Sequence, residues 1–164
     1  MNALVIYDSV FGNTKEIALA ISEPLRAELN VKTLYVKEIT PEHLGWAQLL
    51  VMGAPTRAFS PSEDMKKALK GLSKQNVTGL KIAVFDTRID EQDVDSSKLR
   101  FLMRRFGYAA ETIEKKLVKK GAIVVLPAKG FYVQDSEGPL KDGEPQRAKE
   151  WAREIMTKIG ISSK

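Results

Sequence analysis

Five short runs rich in aliphatic and β-branched residues alternate with longer runs of helical period along this 164-residue chain. That alternation constrains the fold most, because strand, helix and strand in succession close most simply into βαβ units around a parallel sheet. The first strand is predicted at residues 3–7. The helix after it carries Ile17, Ile21, Leu25 and Leu29 on one stripe, with a kink expected at Pro24. Residues 31–36 read as a second strand, whose alternation with Lys32 marks a sheet edge. After a Thr40-Pro41 turn that also contains His43, the third strand covers 49–52 and ends at Gly53-Ala54-Pro55. The next helix is predicted to start with Ser60 as N-cap, Pro61 in the first turn and Glu63 closing a capping box, ahead of Met65, Ala68, Leu69 and Leu72. The fourth strand is 82–85. A long helical region then places Leu99, Leu102, Met103 and Phe106 on one face, with Ile113 and Leu117 beyond a break at Gly107. Residues 122–126 give the fifth strand. Ala148, Trp151, Ala152, Ile155, Met156 and Ile159 mark the last helix, and residues 135–144 are the only extended loop-like stretch.

Right-handed crossovers turn these units into an α/β, three-layer doubly wound sandwich, expected as a single domain over residues 1–164. Ligands of such sheets sit beyond the carboxyl ends of the strands, where strand order reverses. Three segments are expected to meet there: residues 9–14, 55–60 and 87–95.

The 43% hydrophobic and 29% charged fractions are those of a folded globular chain. With no cysteine, disulfides, thiolate metal sites, iron–sulfur ligation and cysteine nucleophiles are excluded. Residues 1–3 lead into a strand without a basic leader, and no apolar run is long enough to span a bilayer, so a cytoplasmic location is expected. The net charge of +5 is spread over several helices, with no aromatic platform or reading module beside it, which argues against a nucleic-acid partner.

The first turn carries the chemistry. Ser9, Val10, Phe11, Gly12, Asn13 and Thr14 join the first strand to its helix, offering hydroxyls and free main-chain N–H groups with the positive end of a helix dipole behind them. No Lys or Arg lies in the turn, and neither the nucleoside-triphosphate loop nor the dinucleotide glycine pattern is present. A monophosphate held by hydrogen bonds and dipoles suits such a neutral cradle. An ordinary helix cap would use the same residue types.

The segment Tyr7-Asp8-Ser9-Val10-Phe11-Gly12-Asn13-Thr14 resembles the phosphate-binding signature of the flavodoxin family: Ser or Thr, two residues, Gly, any residue, Thr. Gly53-Ala54-Pro55-Thr56 and the five-round order are similar to that family as well. The resemblance implies a five-stranded parallel sheet in order 2-1-3-4-5, bound FMN and electron transfer. Flavodoxins are among the folds from which the carboxyl-end rule is drawn, so the FMN position follows from the resemblance and not from that rule independently. Carried over by position, Ser9, Val10, Phe11, Gly12, Asn13 and Thr14 fall on the phosphate loop. Pro55, Thr56, Arg57, Ala58 and Phe59 fall on the loop over one flavin face, and Thr87, Arg88, Ile89 and Asp90 on the loop at the other side. The chain departs from the family pattern in being basic, in having Thr87-Arg88-Ile89 where an aromatic residue is usual, and in lacking a Gly between Pro55 and Ser60.

Phe59 is expected either to stack on the flavin or to pack beneath its loop, and Arg57 and Arg88 to lie near the flavin edge. Trp46 and Trp151 read as core residues, and His43 lies far from the site. Asp90, Glu91, Asp93 and Asp95 form a candidate docking rim for a redox protein partner, the chain itself being a monomer or a dimer. Two other classes use this scaffold. A phosphorylated receiver domain needs clustered carboxylates after the first strand and an acceptor Asp after the third, but here Asp8 stands alone and Met52-Gly53-Ala54 ends the third strand. An NAD(P)H-dependent FMN reductase acting on quinones or another acceptor remains the alternative to an electron carrier.

Overall fold

The computed structural model describes residues 1–161. In chain order the elements are β1 (Asn2–Tyr7), α1 (Asn13–Glu28), β2 (Asn30–Tyr35), α2 (Pro41–Trp46), β3 (Leu49–Pro55), α3 (Glu63–Gly71), α4 (Lys74–Val77) and β4 (Lys81–Ile89). They continue with α5 (Ser97–Phe106), α6 (Ala109–Lys119), β5 (Ile123–Val124), β6 (Lys129–Val133) and α7 (Glu144–Lys158).

Side-chain alternation along each central strand builds the three layers. In β1, Ala3 and Val5 join one apolar cluster while Leu4 and Ile6 join the other; in β3, Leu49 and Val51 divide in the same way from Leu50 and Met52. All eight are fully buried, which is why these strands read as continuous apolar runs. The first cluster packs under α1 and α7, and the second under α3 and α6. Phe85, Phe131 and Trp151 meet edge-on within the first, with ring centroids 6.0–6.3 Å apart. Such pairs add about 0.5–1.5 kcal/mol each beyond the area they bury. Gly53 on β3 makes room for this group, since a Cβ there meets the Phe85 ring at 2.1 Å.

The sheet is parallel, in the order β2-β1-β3-β4, and its fifth position is shared by β5 and β6. This is the expected 2-1-3-4-5 order with a divided last strand. Ile123 and Val124 pair with Lys81 and Ile82, the chain leaves the edge at residues 125–128, and residues 129–133 then pair with 85–89. Pro127, which has no N–H for a ladder, sits in the gap. The expected strand over 122–126 is therefore only two residues long, and the longer outer strand lies further along the chain. The outer edge of β6 is finished by side chains of α7: Glu144 accepts the Tyr132 N–H at 2.6 Å, and Arg147 donates to the Gly130 carbonyl at 2.6 Å. Those bonds close an edge that would otherwise expose unpaired main-chain groups.

Several expectations need correction. α3 begins after Ser62, not Ser60: Ser62 Oγ accepts the Met65 N–H at 3.2 Å, while Ser60 is held in a turn by reciprocal main-chain bonds with Arg57. Glu63 closes no box and pairs with Lys66 instead. The Thr40-Pro41 turn opens a short helix, α2, in which the Thr40 and His43 side chains cap one another's main chain. Trp46 is not core; it is half-buried beneath the Lys32 ammonium, 4.5 Å from the ring centre. α1 continues past Pro24 for another turn, and Gly107, at φ +76°, separates α5 from α6 as expected.

Candidate functional site

Beyond the carboxyl ends of β1, β3 and β4 lies a cleft of about 340 Å³. That volume falls within the range usual for small-molecule sites. Its floor is the turn from β1 to α1. Gly12, at φ +95°, is the N-cap of α1, a conformation that costs a residue with a Cβ about 1–2 kcal/mol. Ser9 Oγ accepts the N–H groups of Gly12 at 3.1 Å and Lys15 at 3.3 Å, and Asp8, buried at 3% exposure, accepts that of Ser9. The main-chain N–H groups of Val10, Phe11, Asn13 and Thr14 have no acceptor among the described residues. Four open donors at one helix start, with Ser9, Val10, Phe11, Asn13 and Thr14 lining the cleft, make a cradle for an anion.

Beside it, Thr14 Oγ1 and Thr87 Oγ1 lie 2.7 Å apart, and both residues are nearly buried. Two hydroxyls carry two hydrogens. Their mutual bond uses one, so the other is available to an acceptor in the cleft.

One wall is formed by Pro55, Thr56, Arg57 and Ala58. Arg57 and Ser60 close a tight turn in which Ala58 and Phe59 take left-handed angles, φ +45° and +65°. Thr56 fixes its base, donating from N to the Thr87 carbonyl at 2.9 Å and accepting the Ala109 N–H on Oγ1 at 3.0 Å. Phe59 does not line the cleft but packs on Phe106, with ring centroids 5.9 Å apart. Arg57 is exposed over Phe11, 5.5 Å from the ring centre.

The opposite wall is not a loop. Thr87, Arg88 and Ile89 are the last residues of β4, paired with Phe131, Tyr132 and Val133. Alternation along the strand turns Thr87 toward α1 and Arg88 toward α6. Arg88 accordingly forms two bonds of 2.6 and 2.8 Å to the fully buried Asp86, and its guanidinium lies 3.6 Å from the centre of the Tyr108 ring, with Glu111 at 3.6 Å. A Cβ at Gly130 meets Arg88 Nε at 2.3 Å, so only glycine lets the guanidinium lie there. Asp86 also accepts the Ala110 N–H at 2.9 Å. Burial pushes the Asp86 carboxyl up against the pull of Arg88, whose charge is favoured in turn by the carboxylate despite its own burial. Arg88 lines the cleft as expected, but its charge is compensated by Asp86 and does not stand free there.

Gly12 and Asp90 supply geometry instead of cleft surface: Asp90 accepts the Gln92 N–H and faces Lys141 at 3.5 Å. The expected acidic rim is largely spent within the chain, with Lys141 also pairing Asp93 at 2.5 Å and Arg104 pairing Glu91 at 3.1 Å. Three cleft residues were not foreseen: Val133, Ser136 and Glu137. Asn13 Nδ2 holds that segment by donating to the Glu137 carbonyl at 3.1 Å.

The comparisons with known proteins fall on this same frame. The profile of the family described as Flavodoxin matches residues 5–151. The chain belongs to the flavodoxin family. Flavodoxins are FMN-binding electron-transfer proteins, and the β1–α1 cradle fits the phosphate of that cofactor. A flavodoxin of Aquifex aeolicus is 39% identical over 66 residues, a match that spans 39% of this chain and 36% of that protein. An archaeal flavodoxin structure superposes with a TM-score of 0.76 at 21% identity, covering 97% of this chain and 99% of the other. Oxidised flavodoxin 2 from Bacillus cereus gives 0.71 at 19% identity, covering 96% and 99%. Both structures have the same fold as this chain.

Proposed function

We propose that this chain binds FMN in the cleft and carries electrons between redox proteins. The observation that carries this reading is the set of four main-chain N–H groups, of Val10, Phe11, Asn13 and Thr14, that lie together at the start of α1 with no acceptor among the described residues. A phosphate dianion would satisfy them together with the Ser9 hydroxyl and the spare hydrogen of the Thr14–Thr87 pair. No lysine is needed, because charge-assisted bonds to main-chain donors are about twice as strong as neutral ones. Pro55, Thr56, Arg57 and Ala58 on one side and Thr87 and Ile89 on the other would wall the ring system. The flavin, when bound, supplies the redox chemistry. The protein's own contribution is to fix the phosphate, exclude water from the buried side and leave the edge near Arg57 open to a partner.

The carrier is favoured over a reductase because, among the described residues, the cleft offers walls for one flavin and no second phosphate cradle. Protein purified from a flavin-replete host should be yellow, and FMN added to the apoprotein should lose its fluorescence on binding. The FMN-loaded protein, given NADPH and a quinone, should stay below the turnover of ordinary enzymes, about 1–1000 per second. Rapid unassisted oxidation of NADH or NADPH overturns the carrier assignment; failure to bind FMN overturns the site.

A further inference from the structure

α5 leaves most of its apolar surface without a partner. Leu99, Leu102, Met103 and Phe106 form one stripe at helical spacing, yet only Met103 is buried, while Leu99 is 41% and Phe106 59% exposed. Phe101 stands on the outer side at 65% exposure, flanked by Lys98 and Arg105. The helix carries Lys98, Arg100, Arg104 and Arg105 and no acid. Among the described residues only Arg104 has an ion-pair partner, Glu91. The C-terminal end of the helix reaches the cleft: Phe106 packs on Phe59, and the turn holding Phe59 also presents the exposed Arg57 beside Phe11.

Resting on the carrier reading above, we infer that α5 and the Arg57–Ser60 turn together are the docking surface for an acidic electron-transfer protein, one whose redox centre is ringed by Asp and Glu side chains. Charge decides the partner. The uncompensated groups here are cations, whereas three of the four acids at the other rim are already paired. The mixture of Phe, Met and Arg is that of protein interfaces, in which aromatic side chains seat in the partner and surrounding charges orient it. Phe101 stands among the cations, on the side away from the Leu99–Phe106 stripe, so aromatic and charged groups are mixed on this side of the helix. Docking at this face brings the partner's centre to the open side of the cleft. One electron then leaves that reduced centre and enters the bound flavin, the partner being oxidised by one electron and the flavin reduced by one.

The test uses the FMN-loaded protein and, as probe, a small acidic [2Fe–2S] ferredoxin in its reduced state, with a basic c-type cytochrome as control. FMN titration comes first, for the protein and for Lys98→Glu/Arg105→Glu and Phe101→Ser. Loss of FMN binding in the unaltered protein sinks the carrier reading, whereas docking is judged separately below. Between about 20 mM and 500 mM salt the ferredoxin rate should fall about tenfold or more, because steering between opposite charges is screened. In the charge-reversed double variant it should be about tenfold slower at low salt and nearly independent of salt. Phe101→Ser should slow it at every salt concentration. Amide shift mapping with oxidised ferredoxin needs no flavin, and its changes should fall on α5 and residues 57–60. The inference is overturned if charge reversal leaves the ferredoxin rate unchanged, if the shifts fall on another face, or if the reaction with the basic cytochrome is the one that salt slows. It is also overturned if α5 proves to bind phosphatidylserine vesicles, or a second copy of the chain, while the variants exchange electrons with ferredoxin normally.

Discussion

Thr14 shows how one side chain serves both packing and binding. Its hydroxyl is buried against Thr87, and the residue lines the cleft at the start of α1. Thr14→Val removes a charge-assisted bond to a phosphate, worth about 1.5–3 kcal/mol, so the FMN dissociation constant should rise about 10- to 150-fold in a fluorescence titration. Thr14→Ser keeps the hydroxyl and should stay within a few-fold of the unaltered protein. Arg88 has the opposite character. Nothing in the sequence distinguishes it from Arg57 as a cofactor-edge cation, yet strand alternation turns it onto the buried Asp86. Arg88→Ala strands that carboxylate and should cost about 3–5 kcal/mol of stability near neutral pH, while Arg57→Ala should cost little. The pH dependence has a definite sign. Burial raises the Asp86 pKa, so the folded state holds its proton more tightly than the unfolded chain, and this group's contribution to stability falls as pH rises through the folded-state value. Arg88 is the group that pulls this pKa down, so Arg88→Ala raises it further, and the deficit should shrink as pH falls and widen as pH rises, as urea unfolding would show. A deficit independent of pH contradicts the role assigned to the pair.

At the scale of elements, the start of α3 separates what hydroxyl position alone can say from what tertiary context decides. Ser60 and Ser62 both precede the helix, and Pro61 and Glu63 make Ser60 the better cap on sequence grounds. The turn closed with Arg57 occupies Ser60, and Asp8, arriving from the end of β1, accepts the Ser62 hydroxyl. Ser62→Ala should thus lower the stability by about 1–2 kcal/mol, and Ser60→Ala by less than about 0.5. Chemical denaturation of the two variants checks the order, and the reverse order would restore Ser60 as the cap. The same distinction runs through the fold. β1, β3 and the core of β4 were legible because burial on both faces writes itself as continuous apolar runs. The length of β4 and the place of the outer strand were not, because residues 87–89 become strand only when residues 131–133, some forty positions away, supply the ladder. Phe131-Tyr132-Val133 carries a β-rich signal, but Lys129-Gly130 before it reads as a turn.

For the whole molecule, the site is where three carboxyl strand ends, one helix start and a returning segment meet. Its first component was readable as a motif of six consecutive residues, and the wall at residues 55–58 from its place after the third strand. Val133, Ser136 and Glu137 were not readable, because they come to the cleft only through the β6 crossing and the bond from Asn13 to the Glu137 carbonyl. The chain is basic, which departs from the family habit, and beside the cleft its cations without an ion-pair partner among the described residues include Lys98, Arg100 and Arg105 on α5 and Arg57, while Asp90, Glu91 and Asp93 at the other rim are paired. The central claim is that the cradle at the start of α1 grips a phosphate, and a comparison of FMN with riboflavin, which lacks only that group, tests it most directly. Two charge-assisted bonds already amount to about 3 kcal/mol, so fluorescence titration of the apoprotein should find FMN bound at least about 100-fold more tightly than riboflavin. Equal affinity for the two would contradict the account.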